Sequence, residues 1–256
     1  MNFNFLDTHM RQFETNHDVV VLPGIWMVAR LDGRTFTKLT KDILNFERPF
    51  DIQFRDFMVE TVEHLMQIGF RIVFGYTQSD EISLLFHHQA SDFGRKTRKL
   101  NSVLAGEASA KFSLMVGQIA VFDCRISQLP QQVDVEDYFR WRQADAARNA
   151  LNAHCYWLLR RQGKTARQAD SALQKLSRAD KNELLFQNGI NFNDVPSWQK
   201  RGTGLYWETY EKIGKNPLTN EETLTQRRRI YRDFELPMSE AYQTFIQLRI
   251  AEGLAT

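Results

Sequence analysis

The chain has 256 residues, 43% of them hydrophobic, enough for a real core in one large domain or two intimate ones. Its formal net charge of +2 is nearly balanced, so composition does not announce nucleic acid and local clusters must carry any such case. Two cysteines, Cys124 and Cys155, exclude a disulfide framework and a zinc quartet; no run is long enough for a membrane span, and Met1–Asn4 lacks the pattern of a secretion signal, which together predict a cytoplasmic location.

Residues 1–20 are polar with scattered aromatics and read as a strand or arm without a decisive period. Leu22-Pro23-Gly24 is turn punctuation, Ile25–Leu31 alternates as a strand, and Asp32-Gly33-Arg34 is expected to close it. Gly33, lacking a Cβ, would let the backbone approach a ligand or metal. Pro49 stops the connection, and Asp51 can cap a helix over Ile52–Gln67, where Phe54, Phe57, Met58, Val62, Leu65 and Met66 form a stripe that faces a sheet. Gly69 ends it. In Arg71–Phe86, the apolar runs Ile72–Phe74 and Ile82–Phe86 flank Thr77-Gln78-Ser79-Asp80-Glu81, the pattern of a β-hairpin. Phe93–Val116 reads as a second helix and Ile119–Arg125 as a further strand. The order predicts an α+β fold, a ferredoxin-type βαββαβ sheet.

The second half opens on a long helix, Val135–Arg161, with Ala146, Ala150, Ala153 and Trp157 on its inner stripe. Gly163 closes it. Thr165 caps a helix over Ala166–Leu176, and Asp180–Phe186 is a further short one. Asn188–Pro196 reads as loop, Gly204–Tyr210 as strand, Gly214–Glu222 as a polar connection and Pro237–Ala255 as helix. The expected division is a catalytic core, 1–130, and a mainly helical extension, 131–256, packed on it as one compact unit.

Asp32 and Asp80 stand at two strand ends, and carboxylates beside a core need a compensating cation. Mg²⁺ takes one or two protein carboxylates plus phosphate and water oxygens, so the pair with the Gly33 carbonyl would suffice. The same spacing suits a turn at Asp32 and a hairpin cap at Asp80. Arg95, Arg98 and Lys99 share a helix face within Arg95-Lys96-Thr97-Arg98-Lys99; cations at a helix start oppose the macrodipole, and bound phosphate would supply the missing reason. Arg227-Arg228-Arg229 with Tyr231 and Arg232 is a second basic patch. Arg142, Asp145, Asn149 and Asn152 share a face of the long helix, suited to reading a nucleotide or to packing between subdomains. The six histidines show no ligand spacing, and no Gly-rich phosphate loop occurs.

Seven blocks in order carry a resemblance. They are Arg30-Leu31-Asp32-Gly33-Arg34-Thr35-Phe36, Arg48-Pro49, Gln78-Ser79-Asp80-Glu81, Trp141-Arg142-Gln143-Ala144-Asp145, Asp180-Lys181-Asn182-Glu183, Asn191-Phe192-Asn193 and Lys200-Arg201-Gly202-Thr203. From Val28 to Trp207 the chain resembles the tRNAHis guanylyltransferase family of 3′-to-5′ polymerases, in its bacterial and archaeal guanylyltransferase-like branch. The resemblance implies a palm-like core working with two Mg²⁺ held by Asp32, the Gly33 carbonyl and Asp80, with Glu81 as an acidic neighbour. It places nucleotide contacts on Arg34, Thr35, Phe36, Thr37, Asp51 and Ser79, and phosphate-binding cations on Arg48, Arg95, Lys96 and Lys99. Lys181 and Arg201 match positions linked to phosphate or RNA. ATP and GTP are the implied substrates, tRNA the implied partner, and a homotetramer built as a dimer of dimers the implied assembly.

One departure bears on specificity. The eukaryotic block His-Ile-Asn-Asn-Leu-Tyr-Asn is replaced here by Ala147-Arg148-Asn149-Ala150-Leu151-Asn152-Ala153. Relatives sharing this loss resemble enzymes that refill truncated tRNA 5′ ends by copying the opposite strand. The resemblance therefore implies templated 5′-end repair, with G addition at position −1 as the alternative. A nucleotidyl cyclase on the same palm and a non-catalytic tRNA-binding protein are the rival readings.

Overall fold

The computed structural model describes residues 2–215 and 222–254. The chain runs α1 (Phe3–Thr15), β1 (Trp26–Arg34), the short α2 (Phe36–Lys38), α3 (Ile52–Gln67), β2 (Ile72–Gln78), β3 (Glu81–Phe86) and α4 (Thr97–Val116). It continues β4 (Val121–Leu129), α5 (Gln132–Arg161), α6 (Ala166–Leu173), α7 (Arg178–Phe186), α8 (Ser197–Arg201), β5 (Thr203–Lys215), β6 (Glu222–Asp233) and α9 (Ser239–Leu254).

The six strands form one antiparallel sheet in the order β4-β1-β3-β2-β5-β6. Its first four strands, with α3 and α4, are the predicted βαββαβ unit; the β5–β6 hairpin lengthens it. Asp51 starts α3 by accepting from Phe54 N at 2.9 Å, as its capping position requires. Met58, Val62 and Leu65 of α3 and Leu100, Leu104 and Phe112 of α4 cover one sheet face. Burying each such side chain stabilises the fold by roughly 1.5–3 kcal/mol. Gly75 on β2 lets α3 approach closely: a Cβ there would lie 2.4 Å from Val62 Cγ1. Val135, Tyr138 and Phe139 of α5 with Tyr242, Ile246 and Ile250 of α9 cover the opposite face. A third cluster joins α5 to α6 and α7.

Several elements differ from expectation. Residues 3–15 are a helix with no buried residue, not an arm. The helix expected from Phe93 starts at Thr97, because Phe93, Gly94 and Arg95 all have positive φ and form a tight turn before it. The helix expected to Leu176 ends at Leu173. β5 runs to Lys215, and β6, which carries Arg227–Arg229, was read only as a basic patch. Of the connection expected over Gly214–Glu222, residues 216–221 lie outside the described residues.

Candidate active site

Asp32 and Asp80 meet at one end of the sheet. β1 runs on through Asp32 and Gly33, with Asp32 opposite Glu81 of β3 and Asp123 of β4, so the Asp-Gly dipeptide lies inside a strand rather than in a turn. Ser79 and Asp80 form the two-residue turn between β2 and β3, with Ser79 at φ 55°. The Gly33 amide donates to the Asp80 carbonyl at 3.1 Å. A Cβ on Gly33 would sit 2.9 Å from Asp80 Cβ and 2.5 Å from Phe36 Cδ2, so the two strand ends close only around glycine.

The carboxylates stand in unlike surroundings. Asp32 Oδ2 lies 3.4 Å from Arg30 Nη2, and the same nitrogen donates at short range to Glu81 Oε1. Glu81 Oε2 accepts from Arg142 Nη1 at 2.9 Å, and Arg142 Nη2 donates to Asp145 Oδ2 at 2.8 Å. Both Glu81 oxygens are therefore engaged by guanidinium groups, one from β1 and one from α5. Glu81, which the resemblance implies as an acidic neighbour of the metal ligands, is thereby braced at the strand end. Asp80 lacks a cation partner among the described residues. Burial pushes its carboxyl up to about 6, the Asp32 and Glu81 charges add to this, and a 3.0 Å hydrogen bond from Ser79 Oγ opposes it.

The ordinary aspartate value is about 3.9, so between pH ~4 and ~6 the unfolded chain ionises while the folded one holds the proton, and folding loses stability as pH rises. Asp80→Asn is expected to stabilise the cation-free protein by about 1–2 kcal/mol at pH 8, after discounting for partial exposure. The gain shrinks towards zero at pH 4. Thermal melts of both proteins across that range in chelator check it; an equal gain at every pH would contradict it.

Beside Asp80 opens a cavity of about 340 Å³. Phe36, Phe54, Tyr156, Trp157 and Trp198 give it aromatic walls, and Thr37, Arg48, Asp51 and Ser79 add polar groups. Its size and its mixture of apolar wall and few polar groups suit one nucleotide. Arg48 donates to Thr40 Oγ1 at 3.2 Å and lies 5.6 Å from the Trp157 ring centre. Asp51 also accepts from Glu47 N at 2.8 Å, so it fixes the segment over the cavity as well as capping α3. Arg34, the last residue of β1, and Thr35 just past it are exposed and do not line the cavity. The aromatic walls come from separate segments; apart from Phe36, which the resemblance implies as a nucleotide contact, they are not evident in the sequence, where the spacing Phe46, Phe50, Phe54 is the available signal.

The basic run sits elsewhere. Arg95 is buried near the start of β1, the end opposite Asp32, and donates to the carbonyls of Val21 (3.0 Å), Ala90 (2.8 Å) and Ile25. It is a structural tie, not a phosphate ligand at the cleft. Lys96 and Arg98 pair with Asp18 at 2.9 and 2.6 Å, and hydrogen bonds from Arg98 and Lys96 hold the Asp18 carboxyl well below its usual range. Lys99 is exposed in the first turn of α4. Asn149 donates to Asp145 at 3.2 Å, outside the cavity, while Lys181 and Arg201 line a second one across α5.

The family model described as tRNAHis guanylyltransferase matches residues 7–130, and that of its C-terminal domain matches 133–242. The chain belongs to the tRNAHis guanylyltransferase family. A probable tRNA(His) guanylyltransferase of Drosophila melanogaster is 35% identical, over 77% of this chain and 71% of the relative. The tRNA(His) guanylyltransferase of Debaryomyces hansenii is 30% identical over 86% and 88%. Among solved structures, a bacterial tRNA(His) guanylyltransferase-like protein in complex with GTP superposes with TM-score 0.74 at 28% identity, covering 96% of this chain and 98% of the other. The Saccharomyces cerevisiae enzyme gives 0.71 at 25%, covering 85% and 94%. Family membership makes this chain a nucleotidyltransferase on a palm-like fold.

The donor set suits magnesium. Among the described residues no three His, Cys, Asp or Glu side chains converge as a metal cluster. Two carboxylates, Asp32 and Asp80, beside the Gly33 backbone are what Mg²⁺ takes from a protein when phosphate and water oxygens complete its shell. Asp80, costly to ionise alone, would gain a counter-charge.

Proposed function

We infer that this protein extends truncated tRNA 5′ ends in the 3′-to-5′ direction, copying the opposite strand. The observation that carries this is the closure of Asp80 against Gly33, next to Asp32 on β1, with Asp80 lining an aromatic cavity that holds Arg48. Phe36, Trp157 and Trp198 clasp the incoming base, and Arg48 meets its phosphates as a charge-assisted donor. The nucleotide's 3′-hydroxyl then faces the strand end. Its oxygen attacks the α-phosphorus of the activated RNA 5′ end, the bond to pyrophosphate or AMP breaks, and the hydroxyl proton leaves to solvent.

Asp32, Asp80 and the Gly33 carbonyl would hold Mg²⁺, two ions by the family resemblance, and these supply charge neutralisation and a more acidic hydroxyl when bound. ATP or GTP serves for activation and addition; bound GTP and ATP in the bacterial relatives support this reading. Arg142 and Arg30 keep Glu81, and with it the strand end, in place. Base pairing with the 3′ strand selects the nucleotide, so the cavity need only accept a base. Replacement of the eukaryotic block at 147–153 favours repair. The relatives' guanylyltransferase activity favours the second reading, G addition at position −1.

One panel separates the two. Intact and 5′-truncated tRNAs, each offered with single nucleoside triphosphates, are expected to give products whose added base follows the opposing strand. Addition of G alone, to tRNAHis alone, would establish the alternative.

A further inference from the structure

The second cavity lies across α5 from the first and is larger, about 880 against 340 Å³. The two share walls: Asn152 lines one and Tyr156, a turn further along α5, the other, while α8 gives Trp198 to the first and Arg201 to the second. One helical turn rises about 5.4 Å, so the cavities are neighbours. The hydrogen-bonded series Glu81, Arg142, Asp145, Arg148 runs from the strand end to the lining of the second cavity.

The lining carries Arg140, Arg148, Arg178, Lys181, Lys200 and Arg201 against one carboxylate, Asp137. Some of these cations are occupied: Arg140 pairs with Asp137 at 2.8 Å, and Lys200 donates to the Phe192 and Asn193 carbonyls at 3.2 and 2.6 Å. Arg178 and Lys181 are not. They sit in the first four residues of α7, where positive charge opposes the macrodipole, and have no carboxylate partner among the described residues. At the floor, the wholly buried Tyr242 hydroxyl has no hydrogen-bond partner among the described residues. An unsatisfied buried hydroxyl is costly unless a ligand or water meets it. Trp141 stands in the wall with 55% of its surface exposed.

Free cations, an unpaired hydroxyl and an exposed indole in one cavity match single-stranded nucleic acid, whose phosphates meet the charges and whose unpaired bases stack. In an A-form duplex the bases stack on one another and cannot reach Trp141. At a recessed 5′ end, the only unpaired chain is the protruding 3′ tail of the opposite strand. We propose that this cavity binds the 3′ single-stranded tail of the RNA whose 5′ end lies at Asp32 and Asp80. The proposal rests on the RNA-end reading above.

The test uses two hairpin RNAs with the same stem, one blunt and one with a four-nucleotide 3′ tail, each bound to the full-length protein and followed by fluorescence anisotropy. The tail is expected to tighten wild-type binding about tenfold or more. Trp141→Ala brings the ratio of the two affinities close to one, and Trp141→Phe restores most of it. Lys181→Gln flattens the salt dependence of tailed binding by about one ion's worth. Equal affinity of the wild type for both RNAs, or a tail effect that survives Trp141→Ala, overturns the proposal while leaving the 5′-end reading standing. Failure of the wild type to bind or extend any RNA strikes the parent reading instead.

Discussion

Asp32→Ala and Asp80→Ala are each expected to lower nucleotide addition to a 5′-shortened tRNA at least ~1000-fold, a loss of about 4 kcal/mol of transition-state stabilisation. Neither substitution should cost the fold. Asp32 is about one-third exposed, and its side-chain contact is a long one to Arg30. Asp80 resists ionisation where it stands, so its removal is expected to leave the melting temperature level or raised. Trp157 and Trp198 line the nucleotide cavity and report occupancy by their fluorescence, which ATP or GTP is expected to quench in both variants as in the wild type. The predicted combination is a bound nucleotide, a native melt and no product. Full product from either variant would mean that the strand-end carboxylates are not the reacting centre, whatever the family.

The parts of this arrangement that were legible in the chain are those written in local period. The alternation of Ile25–Leu31, the three-and-four stripe of Ile52–Gln67 and the polar break at Thr77–Glu81 predict the βαββαβ unit, and two strand ends bearing aspartates predict their meeting. β6 was missed because its residues, Gln226 to Arg229 among them, are exposed in a hairpin and offer no apolar face to give a period. α1 was missed for a related reason, its phenylalanines being exposed and no residue of the helix buried. Arg95 shows the harder limit. A cation at a helix start lacks a reason within its own helix, and bound phosphate was the inferred reason. The actual one is a set of carbonyls, the farthest 74 residues away in sequence, reachable only once the sheet has formed. The Arg30–Glu81–Arg142 group is illegible in the same way, since Glu81 and Arg142 are 61 residues apart.

Arg142→Met is expected to destabilise the protein by about 2–4 kcal/mol, somewhat below the loss for an entirely unpaired buried charge. Arg142 is almost fully buried, spans Glu81 and Asp145, and lies 4.0 Å from the centre of the Trp141 ring. Methionine preserves much of its bulk but leaves both carboxylates short of a donor. The loss is not larger because Glu81 keeps Arg30, and Asp145 keeps Arg148 and Asn149. For a chain of this length the melting temperature should fall by roughly 5–12 °C. Pairing the change with Glu81→Gln decides the cause. If the charge contact is what α5 contributes to the strand end, the double variant is less destabilised than the sum of the singles by about 1–3 kcal/mol. Additive losses would show that α5 holds the strand through packing and the Tyr138–Ser83 hydrogen bond alone, leaving Glu81 to Arg30.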